Sequence, residues 1–124
     1  MTILLLDDDK DLCQLTKKVL TTQGYSVDAF CDANAAILHA KTHKPNLILM
    51  DIMLPGLSGP EIVKILKEDP QFKQVPVIFL TGLVTGNEKD VEDEGIRVGD
   101  VLYQTLGKPY EIERLLSVVK RFAK

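Results

Sequence analysis

Leu47-Ile48-Leu49-Met50-Asp51 is an unbroken apolar run that stops at a carboxylate, with Pro45 before it and Pro55-Gly56 after it. A short apolar run between turn residues reads as a strand buried on both faces, the kind found in parallel sheets covered by helices. Asp51 then stands at the strand's carboxyl end, where the chain leaves the sheet. Ligands of open α/β sheets bind along that edge. The plainer use of an aspartate there is to open a turn. What else reaches the same edge decides between the two.

Outward from this run the pattern repeats. Ile3-Leu4-Leu5-Leu6 ends in Asp7-Asp8-Asp9, and Val77-Ile78-Phe79-Leu80 ends in Thr81. Ser26 to Phe30 alternates and reads as the second strand, and a fifth strand is expected near Val101 to Thr105. Between the strands lie segments with helical spacing. One runs from Lys10 to about Gln23, capped by Asp8 or Asp9, with Leu12, Leu15, Val19 and Leu20 turned inward. Ala33 to about Thr42 follows Asp32 as cap and carries Ala36, Ile37 and Ala40. Ser58-Gly59-Pro60-Glu61 is a capping box that starts a third helix, with Ile62, Val63, Ile65 and Leu66 inward. A short, weakly anchored fourth helix is expected between Asn87 and Asp100, where the large apolar residues are Val91, Ile96 and Val98. The last helix spans about Tyr110 to Phe122, with Ile112, Leu115, Leu116, Val118 and Val119 inward. This β-α alternation implies a parallel sheet, right-handed crossovers and helices on both faces.

Residues 1–124 fit one domain, and 45% apolar with 27% charged residues marks a globular chain. A net charge of −3 without a basic run argues against direct nucleic-acid binding. No apolar run approaches the ~20 residues that span a bilayer, and Asp7 to Asp9 arrive too early for a signal peptide. The chain therefore reads as cytoplasmic, with no membrane partner. Cys13 and Cys31 fall in different segments and are expected to be small buried or half-buried hydrophobes. His39 and His43, with no acid or sulfur expected beside them, read as a solvated pair near a helix end.

The chemistry gathers at the carboxyl edge: Asp7 and Asp8 after the first strand, Asp51 after the third, Thr81 after the fourth and Lys108 after the fifth. Each has a plainer use, as a strand end, a cap, an ordinary strand residue or a solvated charge. Together they define a site. Two carboxylates ~5 Å apart repel by roughly 3 kcal/mol at an effective dielectric of 20, so three acids call for a cation. Oxygen ligands, few of them from protein, favour Mg²⁺, with Mn²⁺ as the alternative ion. Lys108 adds a movable positive charge, and Thr81 a hydroxyl that can donate to an anionic oxygen. Such a set suits a phosphoryl group, whose transfer depends on positioning and charge stabilisation. Asp51, already ionised at pH 7, is then a nucleophile that forms an aspartyl phosphate.

At these residues the chain resembles the response-regulator receiver domain of two-component signalling. The matching pieces are Ile3 to Asp9, Pro45 to Gly56, Gly59, Thr81 and Lys108-Pro109-Tyr110. The resemblance implies a flavodoxin-like (βα)5 three-layer sandwich with sheet order 2-1-3-4-5. It implies that Asp51 accepts a phosphoryl group from a histidine kinase or histidine phosphotransfer protein. Asp8, Asp51 and the backbone carbonyl of Met53 would then bind Mg²⁺ directly, with Asp7 acting through water. Thr81 and Lys108 would read the phosphoryl group, and the Lys108–Pro109 bond would be cis. The output would go to a downstream protein or a linked output domain, and the chain would be no enzyme beyond its own phosphoryl transfer and dephosphorylation. The resemblance also implies that Met53 and Leu83 occupy places that influence phosphoryl loss. Being apolar, they cannot position water, which implies a long-lived phosphoryl state.

Two features depart from the family pattern. Thr105 stands where the family usually has an aromatic switch residue, and the segment from Thr81 to Lys108 is a few residues longer than usual. The expectation is a rearranged fourth-helix face, with Tyr103 or Tyr110 serving recognition. A phosphorylation-independent docking module of the same fold is the alternative reading. An aspartyl-phosphate phosphatase is disfavoured because Met53 stands where that chemistry wants a second carboxylate.

Overall fold

The computed structural model describes residues 1–52, 54, 56–81, 96–98, 101–107 and 112–122. Its strands are β1 (Thr2–Leu6), β2 (Ser26–Phe30), β3 (Leu47–Asp51), β4 (Val77–Thr81), β5 (Ile96–Val98) and β6 (Val101–Gly107). The helices are α1 (Lys10–Thr22), α2 (Ala33–Thr42), α3 (Gly59–Lys67) and α4 (Ile112–Phe122), with a 3-10 turn at Pro70–Phe72. The sheet order is β2-β1-β3-β4-β6-β5. The first five of these are parallel neighbours, which is the 2-1-3-4-5 order of the flavodoxin-like sheet.

The last strand is a correction. Ile96–Val98 lies within the stretch expected to hold a fourth helix, yet it pairs antiparallel with β6, Val98 opposite Val101 and Ile96 opposite Tyr103. Two β-branched residues flank Arg97 here, and only Gly99-Asp100 separates the strands, a dipeptide suited to a two-residue hairpin. The rest of the expected fourth helix lies outside the described residues.

Alternation along the buried strands divides the core in two. Leu4, Leu6, Ile48, Met50, Val77, Phe79 and Tyr103 face α2 and α3. Ile3, Leu5, Leu47, Leu49, Ile78, Leu80 and Leu106 face α1 and α4. The face that α1 buries differs from the one expected. Leu20 is inward as expected, but Cys13 and Thr16 join it, while Leu15 is 52% exposed and Leu12 and Val19 are half-buried. The buried row is one residue, about 100°, round the helix from the leucine row, because Thr16 occupies a core position that hydrophobicity does not announce. Ile65 and Ile112 are likewise exposed, while the other inward positions of α3 and α4 are buried or half-buried.

Caps set where the helices begin. Asp9 accepts from the Leu12 amide at 3.1 Å, Asp32 from that of Ala35 at 2.9 Å and Ser58 from that of Glu61 at 3.3 Å. Ser58 also donates through its hydroxyl to the Glu61 carboxylate at 3.1 Å, so the two side chains meet directly at the start of α3. Asp9 rather than Asp8 caps α1, which leaves Asp8 exposed at the sheet edge. His39 is not simply solvated. Its Nε2 lies 2.9 Å from Asp28 Oδ2, and its ring stacks on His43 and tilts against Phe30. Among the described residues no helix is long and apolar enough to cross a membrane.

Candidate functional site

The register of the parallel strands assembles the site. Leu6 pairs with Met50, so Asp7 and Asp51 leave adjacent strands at the same level. Asp51 pairs with Leu80, one residue before Thr81, and Thr81 pairs with Gly107, one residue before Lys108. Asp7 and Asp51 are thus placed by neighbouring strands of buried aliphatic residues.

Carboxylate oxygens of Asp7, Asp8 and Asp51 lie within 4.8 Å of one another. Asp7 is 0% and Asp51 5% exposed, while Asp8 faces solvent. One oxygen of Asp7 accepts from the Asp9 amide at 3.0 Å, which holds the turn between β1 and α1. The Asp7 amide donates to the Phe30 carbonyl at 3.1 Å and ties that turn to β2. Three hard oxygen donors converging at this spacing, two from the floor and one from the rim, suit a divalent cation with water completing its shell.

The far side of the site is held by backbone. The Ile52 amide donates to the Leu80 carbonyl at 3.0 Å, and the Gly59 amide donates to the Ile52 carbonyl at 2.7 Å. These bonds fix the exit from β3 against β4 and the start of α3. Met53, Lys108, Pro109, Tyr110 and the Thr81 side chain lie outside the described residues, as does Leu83.

Two further residues named from the sequence lie in the core. Thr105 is 1% exposed and stands opposite Phe79 on β4. Tyr103 is 9% exposed, and its ring packs edge-on against Phe79, centroids 5.7 Å apart. Burial raises the Tyr103 hydroxyl above its ordinary pKa. Tyr103 thus contributes to packing and borders, with Val98 and Val101, a groove of about 590 Å³ walled by Lys64, Lys67 and Lys73. That groove opens at the amino edge of the sheet, opposite the carboxylates.

Comparison with known proteins decides the family. The sequence matches the response regulator receiver domain over residues 3–120. The chain belongs to that family. Receivers of this kind serve two-component systems, and similar proteins support the assignment along the whole chain. The polar-differentiation response regulator DivK of Brucella anthropi is 28% identical over 122 residues, covering 98% of this receiver and 94% of that protein. Among solved structures, Vibrio cholerae chemotaxis protein CheY4 superposes with a TM-score of 0.81 at 27% identity, covering 98% of this receiver and 97% of that chain. The receiver domain of NtrX from Brucella abortus gives 0.80 at 28% identity, covering 97% and 96%.

Sequence reading missed the role of Gly59. It marked the residue as part of a motif but not as a point of close approach. A β-carbon there would overlap the Asp51 carbonyl oxygen and crowd the Asp51 carbonyl carbon and the Ile52 α-carbon at 3.1 Å. The available signal was the short span from Asp51 to the capping box, which forces α3 to start directly beneath the end of β3.

Proposed function

We propose that this receiver, spanning residues 1–124, is a cytoplasmic phosphorylation-controlled switch. Asp51 is its phosphoacceptor. One observation carries the reading: the oxygens of Asp7, Asp8 and Asp51 converge within 4.8 Å at the carboxyl edge of a receiver-family sheet.

Asp51 is largely shielded from water yet open on one side, so its carboxylate can attack an incoming phosphorus. The donor is a phosphohistidine of a kinase or phosphotransfer protein. The new bond joins Asp51 oxygen to phosphorus, the phosphorus–nitrogen bond breaks, and the departing imidazole takes up a proton. Asp8, Asp51 and the Met53 carbonyl would hold Mg²⁺ directly, with Asp7 holding its water. When bound, the ion offsets the carboxylate repulsion and the charge on the phosphoryl oxygens. Thr81 donates to one phosphoryl oxygen and Lys108 pairs with another. A cis bond at Lys108–Pro109 would aim that lysine into the site. The added charge of about −2 then shifts a two-state equilibrium read by a partner protein or linked output domain. With Thr105 small and buried, that readout does not pass through an aromatic side chain at its position.

The test is incubation with Mg²⁺ and a small phosphodonor, followed by intact mass measurement. One added phosphoryl group, absent from Asp51→Ala and absent with chelator, is the expected result. An unmodified wild-type chain, or modification that survives Asp51→Ala, overturns the reading. Apolar Met53 and Leu83 lead to slow loss of the group once formed, and rapid hydrolysis by the isolated chain refutes that part.

A further inference from the structure

The antiparallel hairpin gives this receiver a surface outside the site at the carboxyl edge. β5 is the outermost strand of the sheet, and it packs beside α3. Between the hairpin, the end of α3 and the residues entering β4 lies the groove of about 590 Å³. Its apolar lining comes from Val75, Pro76, Val98, Val101 and Tyr103. Val75 and Tyr103 are buried and Val98 is half-buried, so they form a fixed floor, whereas Val101 is 50% exposed and leaves apolar surface open to solvent. A cavity of this size falls within the range of specific ligand sites and takes more than one bulky side chain.

The charge around the groove runs against that of the chain. The net charge is −3, yet Lys64, Lys67 and Lys73 line the groove against one acid, Glu68. Lys67 directs its ammonium hydrogens to the carbonyls of Phe72, Lys73 and Val75, so its charge is fixed in place and already hydrogen-bonded. Lys64 and Lys73 are exposed and, among the described residues, neither stands in an ion pair. Lysines in the last turn of α3 suit the helix dipole, a use open to Lys64 and Lys67. That use does not extend to Lys73, which lies beyond the helix.

We propose that the groove docks an acidic peptide segment of a partner protein. An apolar anchor side chain seats against Val98, Val101 and Tyr103, and carboxylates flanking it pair with Lys64 and Lys73. The apolar lining holds any hydrophobic segment, while the lysines select acidic segments and repel basic ones. A second copy of this chain is a poorer fit, because a symmetric contact of groove on groove sets lysines against lysines. Nucleic acid needs basic residues that follow its backbone, and two free lysines beside an apolar cleft do not form such a track. The groove lies at the amino edge of the sheet, opposite Asp51, so docking there neither uses nor depends on phosphoryl acceptance.

The experiment titrates the full chain into a set of short fluorescein-labelled peptides and reads anisotropy. Each peptide has a central leucine, isoleucine, phenylalanine or tyrosine flanked by glutamates, and each has a twin flanked by lysines. We expect at least one glutamate-flanked peptide to bind, its lysine-flanked twin not to bind, and the affinity to fall with added salt. The double variant Lys64→Glu, Lys73→Glu changes exposed side chains and should weaken that binding by about tenfold or more. Val101→Ser, neutral and half-exposed, should weaken it with the salt dependence kept. Amide shifts on adding the peptide should centre on Val98, Val101 and Tyr103. The proposal is overturned if no glutamate-flanked peptide binds, if the twins bind equally, or if the shifts centre elsewhere. It is also overturned by full affinity in the double variant, or by a groove that proves to bind a second copy of the chain or single-stranded DNA instead.

Discussion

Gly59 lies so close to Asp51 that no β-carbon fits between its backbone and the Asp51 carbonyl oxygen. The atoms in the way are backbone, held by the Gly59–Ile52 and Ile52–Leu80 hydrogen bonds. They cannot swing aside as a flexible side chain could. Gly59→Ala should therefore push α3 away from the end of β3 and turn Asp51 relative to Asp7 and Asp8. The expected cost is about 1–3 kcal/mol of unfolding free energy, together with weaker Mg²⁺ binding. Urea denaturation with a metal titration checks both. Unchanged stability and affinity would mean that the approach is not tight in solution.

Asp51→Asn separates charge from shape. In chelator the variant loses one of three close carboxylates. At about 5 Å and an effective dielectric of 20 each repulsion is roughly 3 kcal/mol, reduced for Asp8 by solvent screening. A net gain of about 1–2 kcal/mol in stability is expected. Added Mg²⁺ should then stabilise wild type by mass action far more than the variant, reversing their order. Melting temperatures of both proteins with chelator and with Mg²⁺ measure this. If the wild type is the more stable in chelator as well, the carboxylates are not in mutual conflict.

The parallel sheet was readable because its strands are buried on both faces, so Leu47–Met50 and Ile3–Leu6 carry no competing polar pattern. The carboxylate trio was readable because parallel register puts strand ends level. The inward face of α1 was not, since a buried threonine at 16 breaks the link between hydrophobicity and burial. Neither was β5. Three residues within an acid-rich stretch are too few for a period of two to stand out. The Asp28–His39 pair joins residues 11 positions apart across elements. Such contacts come from packing, which no local pattern announces.

Lys67 secures the end of α3 at the opposite edge. Its ammonium donates to the carbonyls of Val75 at 2.6 Å, Phe72 at 2.7 Å and Lys73 at 3.3 Å. Burial lowers its pKa below the ordinary lysine value. The carbonyl oxygens compensate the buried charge and in turn depend on it. Lys67→Met keeps the aliphatic stem and leaves those oxygens without this donor, at an expected cost of about 1–3 kcal/mol. Phosphoryl acceptance at Asp51 should be unaffected, because the change lies at the far edge of the sheet. Chemical denaturation beside the phosphodonor assay separates the two effects. Loss of acceptance at full stability would contradict this division.

Cys13 should make the fold sensitive to alkali. Its thiol rises from about 9 in the unfolded chain to about 12 in the folded one, first because of burial. The folded state therefore keeps a proton that the unfolded state gives up. Its contribution to stability is complete below pH 9 and falls away as pH rises through about 12. Cys13→Ala removes this linkage while leaving the other groups that ionise at high pH, Tyr103 among them. Under reducing conditions, the urea midpoint of wild type should fall more steeply between pH 9 and pH 12 than that of the variant. Parallel slopes would mean that the thiol ionises as readily in the fold as in the unfolded chain, and that the core around α1 admits water.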